Sequence, residues 1–493
     1  MALPESLLSQ LSQRVGEQMG LHFPKERWHD LEMGIEAAAR ESGIADVCAY
    51  ARDLLSARLT QQQIAELANT LTIGETYFFR DPRSLQVLND VVLPELICVR
   101  RGVSQRLRIW SAGCCTGEEA YSIAIMLERL LPDFEAWQVT LLATDINARF
   151  LQKALEGVYG EWSFRGAPQW LKEDYFEPVG QRRFAILPRI KERVTFAYLN
   201  LSEDVFPSLD NNTNAMDLIL CRNVLIYFSP ERVAAVARNF HHALVTNGWL
   251  VVSAVEASLT FRNYFTAQTF EGAILYRKKD AAAAPDVTAP PGFAEWQRNA
   301  GADAAPIARP KPAVAPIARE LPAQGKANNS YDAALALFEQ GQYTQAAALL
   351  AQGAATTAPN VATATLLARI YANLGELSAA RTWAECAIGA DRTDAASHYL
   401  RAMILEELNL ITDAFVSLQR TLYLAPGFVL AHFALGNLTL RQDKRAEAMR
   451  HFNNALDFLK NYDDDAVLPH SDGMVAGRLR EMIRSIAPGD LAA

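Results

Sequence analysis

The spacing of apolar positions divides the chain into three regimes. Over residues 1–90 apolar residues recur at helical spacing, as in PESLLSQLSQRV and TQQQIAELANTL, without strand-like alternation, and this stretch reads as a helical subdomain. From 91 to 280 short apolar runs alternate with helical stretches: RLRIWSA (106–112), VTLLATD (139–145), VTFAYLN (194–200), MDLILCR (216–222) and WLVVSAV (249–255). Runs of this length and composition read as buried strands. Their alternation with helices predicts a doubly wound, Rossmann-like α/β core. Between the second and third runs, FRGAPQWLKEDYFEPVGQRRFAILPRIKERVTF is irregular and predicts a small antiparallel β insertion near 178–191.

The third regime opens with an Ala/Pro-rich stretch, 281–326, whose composition cannot build a core and reads as a linker. A flexible chain of that length spans roughly 40 Å. A repeat follows. Gly341, Gly375, Asn409 and Asp443 lie 34 residues apart in turn-like contexts. Five residues after each stands Ala346, Ala380, Ala414 or Ala448, and seven before each stands Ala334, Ala368, Ala402 or Gly436. Twelve after each stands Gly353, Ala387, Thr421 or Ala455. Helix hairpins need small residues where their helices cross, and this period is that of tetratricopeptide repeats. An Ala-rich bundle with chance periodicity would not keep four registers in step. The reading is an all-α domain of four repeats over 327–462, with 463–493 as a capping helix (MVAGRLREMIRSI, 474–486) and tail.

Bulk composition adds exclusions. Net charge is -9 and charged residues make up 21%, which argues against a general nucleic-acid binder. Six cysteines without a CxxC pair indicate neither a zinc site nor a disulfide framework, and no metal site is expected. The N-terminus lacks the basic start and apolar core of a signal peptide. No apolar run approaches the ~20 residues that span a bilayer. A cytoplasmic protein with no direct membrane insertion is therefore expected.

Two strand ends carry candidate chemistry. The first strand runs into SAGCCTGEEAYS (111–122), a strand, glycine turn and helix of the kind that meets nucleotides, with Gly113 and Gly117 permitting close backbone approach. The second strand ends in Asp145, placed to accept the ribose hydroxyls of an adenosine ligand or, alternatively, to cap the helix that follows. The two corners suggest an adenosine-containing cofactor without naming it.

The blocks TIGETYFFRD, WSAGCCTGEEAYSIA, LLATDI, FAYLNL and LILCRNVLIYF follow one another in order, and from about residue 5 to 278 the chain resembles CheR-type chemoreceptor methyltransferases. With its C-terminal repeats it is similar to the branch that carries such a domain, which includes Wsp-type surface-sensing methyltransferases. The resemblance implies an enzyme, a protein-glutamate O-methyltransferase. Its cofactor would be S-adenosyl-L-methionine, its product S-adenosyl-L-homocysteine, and its partner a methyl-accepting chemoreceptor-like protein in chemotaxis or surface-sensing and biofilm signalling. It places cofactor contacts on Thr76, Arg80, Glu119, Asp145, Asn200, Leu201, Asn223 and Val224, and puts Arg80 and Tyr227 beside the transferable methyl. In this scheme Glu119 meets the methionine ammonium, Asp145 the ribose, and Asn200 and Leu201 the adenine edge. The repeats would bind a protein or peptide that the sequence does not name.

Against these roles stand plainer ones: Tyr227 as a packed aromatic, Arg80 as an ion-pair partner, Glu119 as a first-turn residue favouring its helix. The chain also departs from the family pattern. Cys115 stands where members often have Ser, Ala120 where they have Pro, and SAVE (253–256) replaces GHSE, keeping Glu256 but losing the histidine. Lys25, Arg27, Arg40, Arg52 and Arg58 form either a solvated face or, by resemblance, a docking surface for acidic methylation helices. The resemblance implies that some members bind a receptor C-terminal pentapeptide through the β insertion, and the shorter EPVGQRRF turn here then points to pentapeptide-independent action. Two rivals remain: a catalytically silent cofactor-binding domain fused to a repeat scaffold for protein–protein interaction, and a methyltransferase acting on a small molecule.

Overall fold

The computed structural model describes residues 3–203, 205–257, 259–278, 325–354 and 360–486. The expected linker lies outside the described residues apart from Gly325 and Lys326, which begin a helix. The chain divides into two compact units. One comprises Met1–Lys279 with Lys460–Gly489, the other Asp280–Leu459 with Asp490–Ala493.

In the first unit, helices Glu5–Met19, Trp28–Glu41, Val47–Ser56 and Gln61–Leu71 enclose a core of their own around Leu11, Leu31, Ile35 and Leu67. Local chemistry sets their starts. Asp46 accepts from the Ala49 N–H, and Thr60 and Gln63 form a reciprocal capping box.

A seven-stranded sheet follows, in the order β6-β2-β1-β7-β8-β10-β9. The strands are β1 Arg106–Ala112, β2 Gln138–Asp145, β6 Val194–Tyr198, β7 Met216–Leu220, β8 Leu244–Val251, β9 Phe265–Phe270 and β10 Ala273–Lys278. The first five are parallel, and β10 pairs antiparallel with β8 and β9. Central β1 and β7 are buried on both faces, which is why they appear in the sequence as largely apolar runs. Their two buried charged residues meet, the Arg108 main-chain N–H donating to the Asp217 carboxylate at 2.9 Å. The order reverses at β1, with β2 on one side and β7 on the other, so the loops leaving β1 and β7 diverge and open a crevice.

This is the expected Rossmann-like core with two differences: β9 and β10, which were not among the expected strands, extend the sheet, and the last parallel strand is displaced. The last parallel strand starts at Leu244, directly after helix Pro230–Ala243, and stops at Val251 rather than reaching Val255. Asn247 takes a left-handed conformation and the pairing with β7 slips between Met216 and Leu218. Ser253 lies beyond the strand, and its N–H and hydroxyl both donate to the Glu256 carboxylate. The insertion is a separate three-stranded antiparallel sheet, β3-β5-β4, from Val158–Gly160, Arg183–Ile186 and Phe176–Pro178 respectively.

In the second unit, among the described residues, eight helices form four consecutive pairs between Gly325 and Leu459. Gly341, Gly375, Asn409 and Asp443 all take left-handed conformations, the geometry that lets a helix end and reverse. Ala346, Ala368, Ala380, Ala402, Ala414 and Ala448 are fully buried, as helix crossings require. The segment read as a cap of these repeats is placed otherwise. Helix Ala476–Ile486 belongs to the first unit, where Arg478 donates to the Tyr198 carbonyl and pairs with Glu203. An amphipathic pattern specifies that one face is buried, not which surface buries it.

At Gly436 an added Cβ would sit 2.4 Å from the ring of Phe452, which is completely buried. Gly436→Ala gains about 1 kcal/mol of helix propensity but overpacks the crossing at a cost of about 1–3 kcal/mol. Calorimetry of the full chain should show the transition of the repeat unit moving to lower temperature while that of the first unit stays in place.

Candidate active site

The crevice is a cavity lined by the loops that leave β1, β2, β6 and β7, and by two stretches of the N-terminal subdomain. Thr76, Arg80, Glu119, Asp145, Asn200, Leu201, Asn223, Val224 and Tyr227, scattered over 150 residues of sequence, all line it.

Several are held by identifiable contacts. Asp145, at the end of β2, accepts from the Cys115 N–H at 2.8 Å and the Asn147 N–H at 2.9 Å. The capping alternative is filled by its neighbour, since Asn147 caps helix Ala148–Glu156 by accepting from Arg149 and Phe150. Burial outweighs those N–H bonds and pushes the Asp145 carboxyl up to about 6. The two glycines differ in role. Gly113 lines the cavity, and an added Cβ would lie 2.3 Å from Val224. Gly117 instead packs against Ala154 and Tyr159 and starts helix Glu118–Leu130, so its need for glycine comes from the fold rather than from a ligand.

Glu119 accepts from Ser111 Oγ at 2.7 Å and from Arg222 at 3.1 Å. Arg222 was not singled out by sequence reasoning, though a charge closing the run MDLILCR was a usable signal. Its buried guanidinium also donates to the Arg80 carbonyl at 2.6 Å and faces Asp81 at 3.4 Å, while its Nε has no partner among the described residues. The Asn200 amide is fully engaged. Its Nδ2 donates to the Gln18 carbonyl and Glu203, and its Oδ1 accepts from the Ser202 N–H and hydroxyl. What Asn200 can present to the cavity is therefore chiefly main chain. Arg80 donates back to the Glu75 carbonyl and lies 5.9 Å from the Tyr77 ring.

Glu256 was recognised in sequence without a role. It is buried and receives five hydrogen bonds of 2.6–2.9 Å, from the N–H groups of Asn223, Val224, Leu225 and Ser253 and from the Ser253 hydroxyl. It fixes the loop that carries Asn223, Val224 and Tyr227. Ala254, in the place of the family histidine, is exposed. Phe79, Asp81, Cys115 and Asn223 all have positive φ and gather at or beside the cavity, the kind of local strain that collects at functional sites. Burial pushes the Cys115 thiol up to about 12, so it stays protonated at neutral pH.

Comparison with known proteins completes the description. Residues 74–272 match the family "CheR methyltransferase, SAM binding domain", and 337–404 match "Tetratricopeptide repeat". The "Chemotaxis protein methyltransferase" of Borreliella burgdorferi is 31% identical over 251 residues, covering 50% of this chain and 87% of that protein. The chain belongs to the CheR methyltransferase family. "Chemotaxis protein methyltransferase 1" of Pseudomonas aeruginosa is 36% identical over 43% of this chain and 77% of its own length. "Chemotaxis protein methyltransferase Cher2" of Pseudomonas putida is 33% identical over the same two shares. This member of the CheR family is thus an enzyme with a domain for S-adenosylmethionine, joined to tetratricopeptide repeats. Among the described residues no helix is long and apolar enough to cross a membrane, and no cluster has metal-ligand character.

The state of Asp145 gives a pH test. Because its folded value is raised, its stabilising contribution to folding is complete below the ordinary aspartate value near ~4 and lost as pH rises through about 6. Binding runs the other way, since only the ionised carboxylate offers full acceptor strength to two hydroxyls. Between pH 7 and pH 5 the Kd of S-adenosylhomocysteine should rise about five- to tenfold. Asp145→Asn should bind weakly at both pH values, with the slope gone. A wild-type Kd that is flat across this range contradicts the assignment of Asp145 to a ligand.

Proposed function

We propose that this enzyme transfers the methyl group of S-adenosylmethionine to glutamate side chains of a methyl-accepting chemoreceptor-like protein. The observation that carries this reading is the meeting, in one cavity, of all the residues that the CheR resemblance assigns to cofactor and catalysis. The chemistry of the site supports that cofactor. Asp145 offers an acceptor at the end of β2, suited to ribose hydroxyls. Glu119 offers a carboxylate and Arg222 a buried N–H without an acceptor, which suit an amino-acid ammonium and carboxylate. Ile146, Phe150 and Leu201 supply apolar surface for a base.

When bound, the cofactor supplies a methyl group on a positively charged sulfur. The acceptor carboxylate is already ionised at neutral pH, so the protein has no proton to remove. Its task is alignment, which is worth several kcal/mol. Arg80 and Tyr227 are proposed to orient the incoming carboxylate. Tyr227 is well placed to stay rigid, because its carbonyl accepts from the His22 N–H at 2.6 Å and Phe228 bridges to Leu21. An ion pair of Arg80 that was too tight would weaken the nucleophile, so a positioning contact is favoured over full charge neutralisation. The receptor's methylation helices are proposed to dock on the N-terminal subdomain, although Lys25 and Arg27 already pair with Glu5 and Asp30 there. The repeats are proposed to recruit a partner by their stacked helices rather than to catalyse.

Tritiated methyl transfer to membranes containing candidate receptors tests the reading. The label should be released as volatile methanol by mild alkali, as an ester requires. Alkali-stable label would mean N-methylation and would exclude glutamate. In single turnover, Tyr227→Phe should slow transfer about tenfold or more with the Kd of S-adenosylhomocysteine within twofold of wild type. An unchanged rate would remove Tyr227 from the chemistry.

A further inference from the structure

The chain leaves the first unit after Lys279 and returns to it at Lys460, immediately after the last repeat helix ends at Leu459. The returning segment lies against the stretch between β6 and β7, which contains the cavity residues Leu199, Asn200 and Leu201. Two sets of contacts fix it there. The Asp472 N–H donates to Asp210 at 3.1 Å, and the Asp472 carboxylate accepts from Ser208 Oγ at 3.0 Å. Six residues on, Arg478 is 1% exposed. Its guanidinium donates to the Tyr198 carbonyl at 3.1 Å, meets Glu203 Oε2 at 3.3 Å and lies 5.6 Å from the Tyr198 ring.

These contacts lead directly to the cavity. The other oxygen of Glu203 accepts from Asn200 Nδ2 at 3.3 Å, and that same Nδ2 donates to the Gln18 carbonyl of the N-terminal subdomain. The amide that sets the Asn200–Leu201 wall is thus held between helix Glu5–Met19 on one side and the Arg478–Glu203 pair on the other. A buried arginine is costly to place and is tolerated where it meets acceptors that would otherwise lack donors. Here those acceptors are a main-chain carbonyl at the end of β6 and a carboxylate with its second oxygen on Asn200. The contacts do more than attach a tail, because they bear on two residues that border Asn200 in sequence or in space.

We infer that Arg478, supplied by the segment that follows the repeats, is a positioning residue for the cofactor site. It acts through Tyr198 and Glu203 on the Asn200–Leu201 wall, so the segment 460–486 completes the methyltransferase unit. The repeat region is then attached at both ends to the unit that carries the cavity, and its second attachment is the one that holds this wall. The inference rests on the proposed cofactor site.

The test is calorimetric titration of the full chain with S-adenosylhomocysteine, with single-turnover methyl transfer measured alongside. Arg478→Met should raise the Kd about tenfold. Arg478→Lys, which retains one charged donor, should raise it about threefold, and Arg484→Met, on the exposed face of the same helix, should leave it unchanged. At saturating cofactor the transfer rate of both Arg478 variants should stay within twofold of wild type, giving a KM effect without a kcat effect. A structural role confined to the tail would move the melting temperature and leave this split absent. If Arg478→Met does not fold, Glu203→Gln carries the test, since it weakens the same hold on Asn200 while leaving Arg478 bonded to Tyr198. Wild-type binding with an unchanged Kd in the folded Arg478 variant, or in Glu203→Gln where that variant is used, overturns the inference. Absence of binding in the wild type overturns instead the cofactor site on which it rests.

Discussion

The site depends on one carboxylate. Glu256 gathers the N–H groups of Asn223, Val224 and Leu225 on its two oxygens and closes its own turn through Ser253. Charge-assisted bonds of this kind are among the stronger ones available inside a protein, and here they hold Asn223 in a left-handed conformation that a free loop would rarely adopt. The position of Val224 against Gly113, and that of Tyr227 beside the N-terminal subdomain, follow from this loop. The cavity therefore owes its shape on the β7 side to a residue that does not line it.

A second network completes the enclosure. Arg222 joins Glu119 of the β1 side to Asp81 and the Arg80 carbonyl of the incoming N-terminal loop. Gln18, at the end of the first helix, accepts through its carbonyl from both Asn200 and Ser202. Loops at a sheet's switch point would otherwise be open to water. Here they are tied to one another and to the helical subdomain by buried polar bonds. A site closed against water by such ties would strengthen the attraction between a sulfonium and a carboxylate, the charge pair that the proposed methyl esterification brings together.

Much of this was legible in the sequence, for physical reasons. Parallel strands buried on both faces leave apolar runs, so four of the five expected core strands lie within two residues of their observed limits, while the fifth, expected over 249–255, runs over Leu244–Val251. Helix crossings in the repeats demand small residues, so the 34-residue spacing from Gly341 to Asp443 carried through to four left-handed turns. Other features were hidden because they depend on contacts between distant segments. Glu256 acts on a loop more than 30 residues away, and Arg222 reaches back to residues 80, 81 and 119. Nothing local to Arg478 distinguishes a helix that caps repeats from one that packs beside Tyr198. The roles of Gly113 and Gly117 likewise separated only when their neighbours, Val224 and Ala154, were known.

On the proposed function, the crevice between β1 and β7, with its wall held by Glu256, receives S-adenosylmethionine. Calorimetric titration of the folded full chain with S-adenosylhomocysteine tests this most directly, run beside Glu256→Gln, which gives up one of the two acceptor oxygens outside the cavity. One site per chain is expected for the wild type, and an affinity at least about tenfold weaker for the variant. No heat from the folded wild type, or equal affinity in both proteins, would contradict it.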